Sequence, residues 1–470
     1  MNELMISLDL SEKKHLYEQI YQYIRDEIHL GHILTGEKLP SARALAEQLQ
    51  VSRCTVNFAY EQLLSEGYIE AKPCKGYYVC PIEELFAWGN ENKAADKHLW
   101  KTETAKQEPA EQIDFSPHAV DIRLFPFETW RRISRKVLME SNSDVLSLGH
   151  PQGDLSLRKT IARYLYQARG VNCSPEQIVV GAGNDYLLML LHQLLGENVS
   201  VAMENPTYFR AYRMFRSFGF QIRSVPMDSS GILVEQLKNK NADVVYVMPS
   251  HQFPVGTVMP IGRRMELLNW AGQQQNRYLI EDDYDSEFRF RGKPIPALQA
   301  SDTSGKVIYI GTFSKSIAPA IRTSYMVLPE SLLAVFQEKC GFLSATVSRV
   351  DQAVLTEFIE TGAFERHLNK MRKYYREKHD LLLQELRPLQ ENFQISGTDA
   401  GLHVLLSSKQ GITEKNLIQK ARQEDVVVYG LSEHALEDEI SRSSSVLLGF
   451  GALTEKQIRE GVRRLIRIWK

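Results

Sequence analysis

At 470 residues the chain is long for a single compact core, and at roughly 150 residues per domain it has room for about three. Its 43% hydrophobic and 24% charged residues are those of an ordinary globular protein, which excludes the disordered and membrane classes. With 56 Lys and Arg against 58 Asp and Glu there is no global positive field to draw in nucleic acid, so any such contact has to be local. Five cysteines, Cys54, Cys74, Cys80, Cys173 and Cys340, are odd in number and lack ligand spacing. They fit a reducing compartment better than a disulfide scaffold, and no metal site is expected. The opening MNELMISLDLSEKK carries acids and no long apolar core, and no later run approaches a membrane span. The expectation is a soluble, cytoplasmic protein without membrane contact.

Residues 1–87 read as three helices and a hairpin. Leu16, Ile20, Ile24 and Ile28 recur every four residues before Gly31, an amphipathic helix with its stop signal. Ser41 is placed to cap a short second helix with Ala42, Leu45, Ala46 and Leu49 on one face. After a tight turn at Gln50-Val51, Ser52 caps a third helix that carries Val56, Ala59, Tyr60, Leu63 and Leu64 and ends at Gly67. Tyr68 to Ala71 and Tyr77 to Cys80 flank a Pro73 to Gly76 turn. The arrangement is a winged helix-turn-helix, of class α+β. Residues 88–112, rich in Lys, Glu, Ala, Asn and Gln, lack the apolar surface to offset chain entropy and read as a linker.

From 113 to 470 helical and strand patterns alternate. Leu155 to Arg169 and Tyr186 to Leu195 are helices. Ile178 to Val180, Val199 to Met203, Val244 to Met248, Tyr278 to Ile280 and Val307 to Ile310 are short apolar runs of the kind buried on both faces of a parallel sheet. This is an α/β lobe of about 150–360. A long helix from Ala363 to Leu386, strands near Leu402 to Leu406, Val426 to Tyr429 and Val446 to Leu448, and a helix from Thr454 form a smaller lobe of about 361–470.

The segment LPSARALAEQLQVSRCTVNFAYEQLLSEGYIEAKPCKGYYV resembles the winged-helix domain of the GntR family of bacterial transcription regulators. The resemblance implies contact with double-stranded operator DNA through Ser41, Arg43, Ser52, Arg53, Thr55, Asn57, Lys75 and Gly76. Helix N-termini suit phosphates, and Arg53 suits a guanine edge in the major groove. Acids outnumber bases in this domain, and the polar residues read equally as solvated caps. Yet Glu12, Glu18, Asp26, Glu27, Glu83 and Glu84 fall outside the turn and third helix, while Arg43, Arg53, Lys72 and Lys75 fall inside the contacting region.

In the larger part, TFSKSIAPAIR (312–322) sets a lysine in a Ser/Thr-rich turn seven residues before an arginine, suited to a Schiff base beside a bound phosphate. Ile280 to Tyr284 ends a buried strand with carboxylates and a phenol, and Gly181 to Asn184 is a strand-to-helix turn offering backbone N–H groups. Glu204 to Tyr208 puts an aromatic after another strand. In order and spacing these resemble fold-type I pyridoxal-phosphate proteins of the class I aminotransferase group, and the whole layout is similar to the MocR/GabR-type regulators. The resemblance implies pyridoxal 5′-phosphate on Lys315, with Asp282 at the ring nitrogen, Tyr284 at the ring oxygen and Tyr208 stacked on the ring. Ala182, Gly183, Asn184, Thr312, Ser314 and Arg322 would surround the phosphate. It further implies a head-to-tail homodimer and a small amino-compound effector read by aldimine exchange.

Three positions depart from the enzyme pattern. The expected carboxylate-clamping arginine falls on Leu447, with Arg210 and Arg442 as candidate replacements at an effector site. Leu148 stands where many enzymes place a tyrosine that reaches across to the phosphate of the other subunit. His251-Gln252-Phe253-Pro254 stands where they show Asn-Pro. The losses touch substrate anchoring more than cofactor holding, which favours a sensor. A working aminotransferase with an autoregulatory DNA-binding domain, and a sensor of the cofactor itself controlling vitamin B6 metabolism, remain the alternatives.

Overall fold

A computed structural model describes residues 6, 8, 14–73, 75–81, 112–290, 295–436 and 443–470. The chain separates into two units, Met1–Glu108 and Pro109–Lys470. Apart from Gln112, the stretch read as a linker lies outside the described residues, as does Arg442.

In the first unit α1 (Leu16–His29), α2 (Ala42–Leu49) and α3 (Arg53–Ser65) form where apolar spacing and caps place them. The Ser41 hydroxyl accepts from the Ala44 N–H and that of Ser52 from the Thr55 N–H, each at 3.1 Å, satisfying donors the helix leaves open. Gln50 closes α2 at φ 53°, so the turn between α2 and α3 is left-handed. Ile24, Leu45, Val56, Ala59, Tyr60 and Leu63 are fully buried between the three helices. The wing is an antiparallel pair, β1 (Ile69–Lys72) and β2 (Gly76–Val79), in register Ile69 to Val79. It gains a third edge not legible in the sequence: Leu39 N–H donates to Tyr77 O at 2.9 Å and Val79 N–H to Glu37 O at 3.0 Å.

The second unit opens with β3 (Ile113–Asp114) and holds an eight-stranded sheet. Its members in chain order are β4 (Ile178–Gly181), β5 (Ser200–Asn205), β6 (Gln221–Asp228), β7 (Gly231–Ile232), β8 (Val244–Val247), β9 (Tyr278–Asp283), β10 (Val307–Thr312) and β11 (Ser324–Val327). Spatially they run β4-β11-β10-β9-β8-β5-β6-β7. Strands β10, β9, β8, β5 and β6 are mutually parallel, whereas β11 is antiparallel to both its neighbours. The periodicity reading missed β11, β6 and β7. The link from Thr312 to Ser324 is too short for a helical crossover, so β11 has to turn back beside β10. Strand β6 is exposed or partly buried at every residue but Val225 and lacks the continuous apolar run of its neighbours.

Helix α4 (Asn184–Leu195) starts at the end of β4, and the 23-residue α5 (Ala363–Glu385) leads into the small lobe. There β12 (Phe393–Ser396), β13 (His403–Ser408), β15 (Tyr429–Gly430) and β16 (Ser445–Gly449) make an antiparallel sheet, while β14 (Val426–Val427) pairs with β3. The single strand expected over Val426 to Tyr429 is therefore two, because the chain changes partner at Val428. The fold places residues 112–121 across the small lobe. Phe115 N–H donates to Val427 O at 3.0 Å, and Gly449 N–H donates to Phe115 O at 2.8 Å.

Candidate functional site

On the first unit, Ser41, Arg43, Ser52, Arg53, Lys75 and Gly76 are exposed, and Thr55 and Asn57 are half-buried on α3. Some are already engaged: Arg43 pairs with Glu47 at 3.0 Å, and the Ser52 and Thr55 hydroxyls lie 2.8 Å apart in the cap of α3. Gly76 has φ 106° and lies against Lys38, whose Cε would sit 3.1 Å from any Cβ there. Sequence reasoning did not find Lys38 because its place at the wing tip comes from the extra backbone pairing. Arg53 opens α3 with its side chain outward. Arg53→Ala is expected to weaken operator binding by about 1–3 kcal/mol, roughly 5- to 150-fold, and to relax preference at one base pair. Fluorescence anisotropy on operator duplexes mutated singly at each position checks it.

In the second unit the carboxyl ends of the parallel strands converge, where ligands enter open α/β sheets. Here lies a cleft of about 140 Å³ lined by His118, Asn184, Asp185, Tyr208, Arg210, Met248, Phe253, Asp282, Tyr284, Thr312, Ser314, Lys315 and Arg322. Eight of the ten expected cofactor residues line it; Ala182 and Gly183 form the turn just before α4. Lys315 follows β10, its side chain 14% exposed, with Nζ 3.9 Å from Asp285 Oδ2 and 4.7 Å from the centre of the Tyr284 ring. Burial lowers the lysine's pKa, against the pull of Asp285 and Asp282. Asp282 is the last residue but one of β9 and is buried; it accepts from the Tyr246 hydroxyl at 2.5 Å and from Asn184 Nδ2 at 3.4 Å. Burial pushes its carboxyl up to about 7.

The residues fit a phosphorylated pyridine aldehyde. Asn184 Oδ1 is buried without a partner beside the cleft. Gly183, at φ 91°, sits where any Cβ would overlap the Arg322 guanidinium, so only glycine lets that arginine reach the start of α4. Thr312 Oγ1 donates to Ser314 Oγ at 3.1 Å and accepts from Ser324 Oγ at 2.9 Å, which shapes the turn before Lys315. One part of the expected cradle differs: the Ala182 N–H donates to Thr346 Oγ1 at 3.0 Å and is already committed.

Other charges are engaged as well. Arg210 is bidentate on Asp185, with Nε to Oδ1 at 3.1 Å and Nη2 to Oδ2 at 2.5 Å, and Arg322 reaches the same carboxylate at 3.4 Å. Leu447 lies in the middle of β16, fully buried, between Leu405 of β13 and Tyr429 of β15. Phe253 is 2% exposed, with ring centres of His118, His403 and His434 at 5.1, 5.2 and 4.9 Å and of Tyr208 at 5.8 Å. Sequence reasoning missed His118, Tyr246 and Asp285, which arrive from separate elements and have no motif of their own. Leu148 is 91% exposed.

Comparison with known proteins agrees with this architecture. Residues 119–465 match the family described as Aminotransferase class I and II, and residues 16–79 match Bacterial regulatory proteins, gntR family. The chain is 42% identical over 459 residues to the HTH-type transcriptional regulator YdeL of Bacillus subtilis (strain 168), covering 97% of each chain. It is 31% identical over 471 residues to the probable rhizopine catabolism regulatory protein MocR of Rhizobium meliloti, covering 98% of this chain and 95% of that one. Among solved structures, the multiple substrate aminotransferase of Thermococcus profundus superposes with a TM-score of 0.68 at 27% identity, covering 77% of this chain and 92% of that chain. No helix among the described residues is long and apolar enough to cross a membrane. Sharing both domains in order with such regulators, the chain belongs to the aminotransferase class I and II family and, within the GntR family, to the MocR-type transcription regulators, DNA-binding proteins whose larger domain is of a pyridoxal 5′-phosphate-dependent fold.

Proposed function

We propose that this regulator holds pyridoxal 5′-phosphate on Lys315 and responds to an amino compound that takes the lysine's place on the cofactor, changing operator binding. The observation that carries this reading is the setting of Lys315, a buried amine poised between Asp285, Asp282 and the face of Tyr284. The bound cofactor supplies an aldehyde carbon for amines and a ring that withdraws electrons. Asp282 would sit at the ring nitrogen, where a positive charge would favour its ionised form against the burial that pushes it up to about 7. Tyr284 would face the ring oxygen and Tyr208 the ring plane. Asn184, Thr312, Ser314 and Arg322 would hold the phosphate with the Ala182-Gly183 turn.

Leu447 and the Arg210–Asp185 pairing favour a sensor over an efficient aminotransferase. The position expected to clamp a carboxylate is aliphatic and buried, and Arg210 spends its charge on a neighbour. An effector with a carboxylate has to draw Arg210 away from Asp185 or engage Arg442. Leu146 and Leu148, 76% and 91% exposed, give apolar surface to the second copy of a head-to-tail homodimer.

The test is an absorbance spectrum of the purified protein against a panel of amino acids and amines, paired with operator binding. One compound is expected to change the cofactor band and shift operator affinity by about 5- to 150-fold, the usual range of coupling between sites. The reading fails if every compound that changes the band leaves operator binding untouched. Steady turnover with a 2-oxo acid at about 1–1,000 per second would instead establish an enzyme.

A further inference from the structure

Behind the cleft wall lies a buried cluster that the roles above do not use. Asp285, three residues past Asp282, is 1% exposed, and His251, in the loop after β8, is 1% exposed. His251 Nδ1 is 3.1 Å from both carboxylate oxygens of Asp285 and 2.8 Å from the Tyr284 hydroxyl, while Asp285 Oδ2 is 3.9 Å from Lys315 Nζ. We propose that the Asp285–His251 pair is a positioning device for the cofactor linkage. It turns the hydroxyl proton of Tyr284 toward the cofactor's ring oxygen and, against burial, draws the Lys315 nitrogen toward its protonated form. The proposal rests on the reading of Lys315 as the cofactor lysine.

Proton accounting carries the first half. An imidazole nitrogen offers either one hydrogen or one lone pair, and here three oxygens crowd Nδ1. A bare Nδ1 would set its lone pair against an ionised carboxylate, so the stable arrangement is Nδ1–H donating to Asp285. Burial works against the charge of Asp285, but His251 and Lys315 outweigh it and keep the carboxyl below its usual range. With Nδ1 protonated, the Tyr284 phenol is unable to donate to it and turns its own proton elsewhere. The ring is seated with little freedom, because a Cβ at Gly401 would overlap it, and Nε2 is buried without a partner.

Coulomb attraction carries the second half. At 3.9 Å an anion buried beside Lys315 favours the protonated nitrogen, and the Asp282 charge adds to it. The titratable groups facing the pair are Tyr284 and Asp282 from the end of β9, Lys315 after β10, and His403 of β13. The ring of His403 lies 5.2 Å from that of His251, and burial holds it neutral, its pKa drawn down to about 3. None of them supplies a second anion as close to His251 as Asp285.

The experiment is a pH titration of the visible absorbance of holoprotein reconstituted with pyridoxal phosphate, with borohydride trapping and mass analysis to confirm attachment at Lys315. The wild type is expected to keep its long-wavelength, protonated band to above about pH 8. Asp285→Asn is expected to lower the midpoint by about one pH unit or more, Asp285→Glu to restore most of it, and His251→Gln to fall between. Unchanged midpoints in Asp285→Asn and His251→Gln with the cofactor attached overturn the proposal. If Asp285→Asn does not fold, a wild-type midpoint below about pH 7 overturns it instead. A wild type that shows no lysine-linked band, or one trapped at another residue, overturns the underlying reading of Lys315 and the proposal with it.

Discussion

Lys315→Ala is expected to abolish attachment of the cofactor and, with it, the whole response of operator binding to amines, while leaving DNA binding itself in place. The lysine is the primary amine in the cleft, and its burial keeps a fraction of it uncharged and nucleophilic. The first unit has its own core, so its surface survives the change. Lys315→Arg sharpens the test. The guanidinium restores a cation opposite Asp285 but never loses its proton near neutral pH, so it repairs any purely electrostatic role without forming the linkage. Spectra and anisotropy on the same preparations check both variants. Amine-dependent operator binding that persists in either would remove Lys315 from the proposed function.

The largest effect on stability is expected at Asp121. Its carboxylate and the Lys378 ammonium of α5 are each 1% exposed and 3.0 Å apart. Arg123 and Tyr374 also donate to Asp121, and Lys378 donates to Gly451 O at 2.8 Å. Burial acts to raise the Asp121 carboxyl, but the hydrogen bonds from Arg123, Lys378 and Tyr374 win and hold it well below its usual range. Burial draws Lys378 below its own usual value, so on the lysine side the bonds return the desolvation cost only in part.

Asp121→Ala strands a buried ammonium and is expected to cost about 3–5 kcal/mol, a large share of the 5–15 kcal/mol that holds a typical domain. Asp121→Leu with Lys378→Met removes both charges and is expected to recover most of that loss. Urea unfolding of the three proteins measures it. Because the carboxyl is depressed in the folded state, its contribution is complete above about pH 4, where an unfolded aspartate ionises, and fades as pH falls below that. The segment that Asp121 anchors also carries His118 into the cleft, so Asp121→Ala is expected to weaken cofactor retention alongside stability.

The caps and periodicities were legible along the chain because they act between near neighbours. Ser41 and Ser52 cap the helices they precede, and the Leu155 to Arg169 helix runs between the residues expected. Strands β4, β5, β8, β9 and β10 were legible because their faces are largely buried and each carries a short apolar run. Strand β11 was not, since four residues in a hairpin return carry no periodicity. The division of 426–430 between β14 and β15 was not either, since partner choice belongs to the sheet. Arg442 lies outside the described residues, and Arg210 lines the cleft with its charge committed to Asp185.

The sequence by itself determined the two-domain order, the winged helix, and the Lys315, Asp282 and Tyr284 triplet, whose members sit at the ends of apolar runs. Only the tertiary structure decided which charges pair. Asp185 with Arg210 and Arg322, His251 with Asp285 and Tyr284, Asp282 with Tyr246, and Asp121 with Lys378 each join residues distant in sequence or on separate elements. The physical reason is that caps and hydrophobic periodicity are set by residues a few positions apart. A buried carboxylate takes its partner from whatever close packing brings within about 3 Å of it, and that depends on every strand end at once.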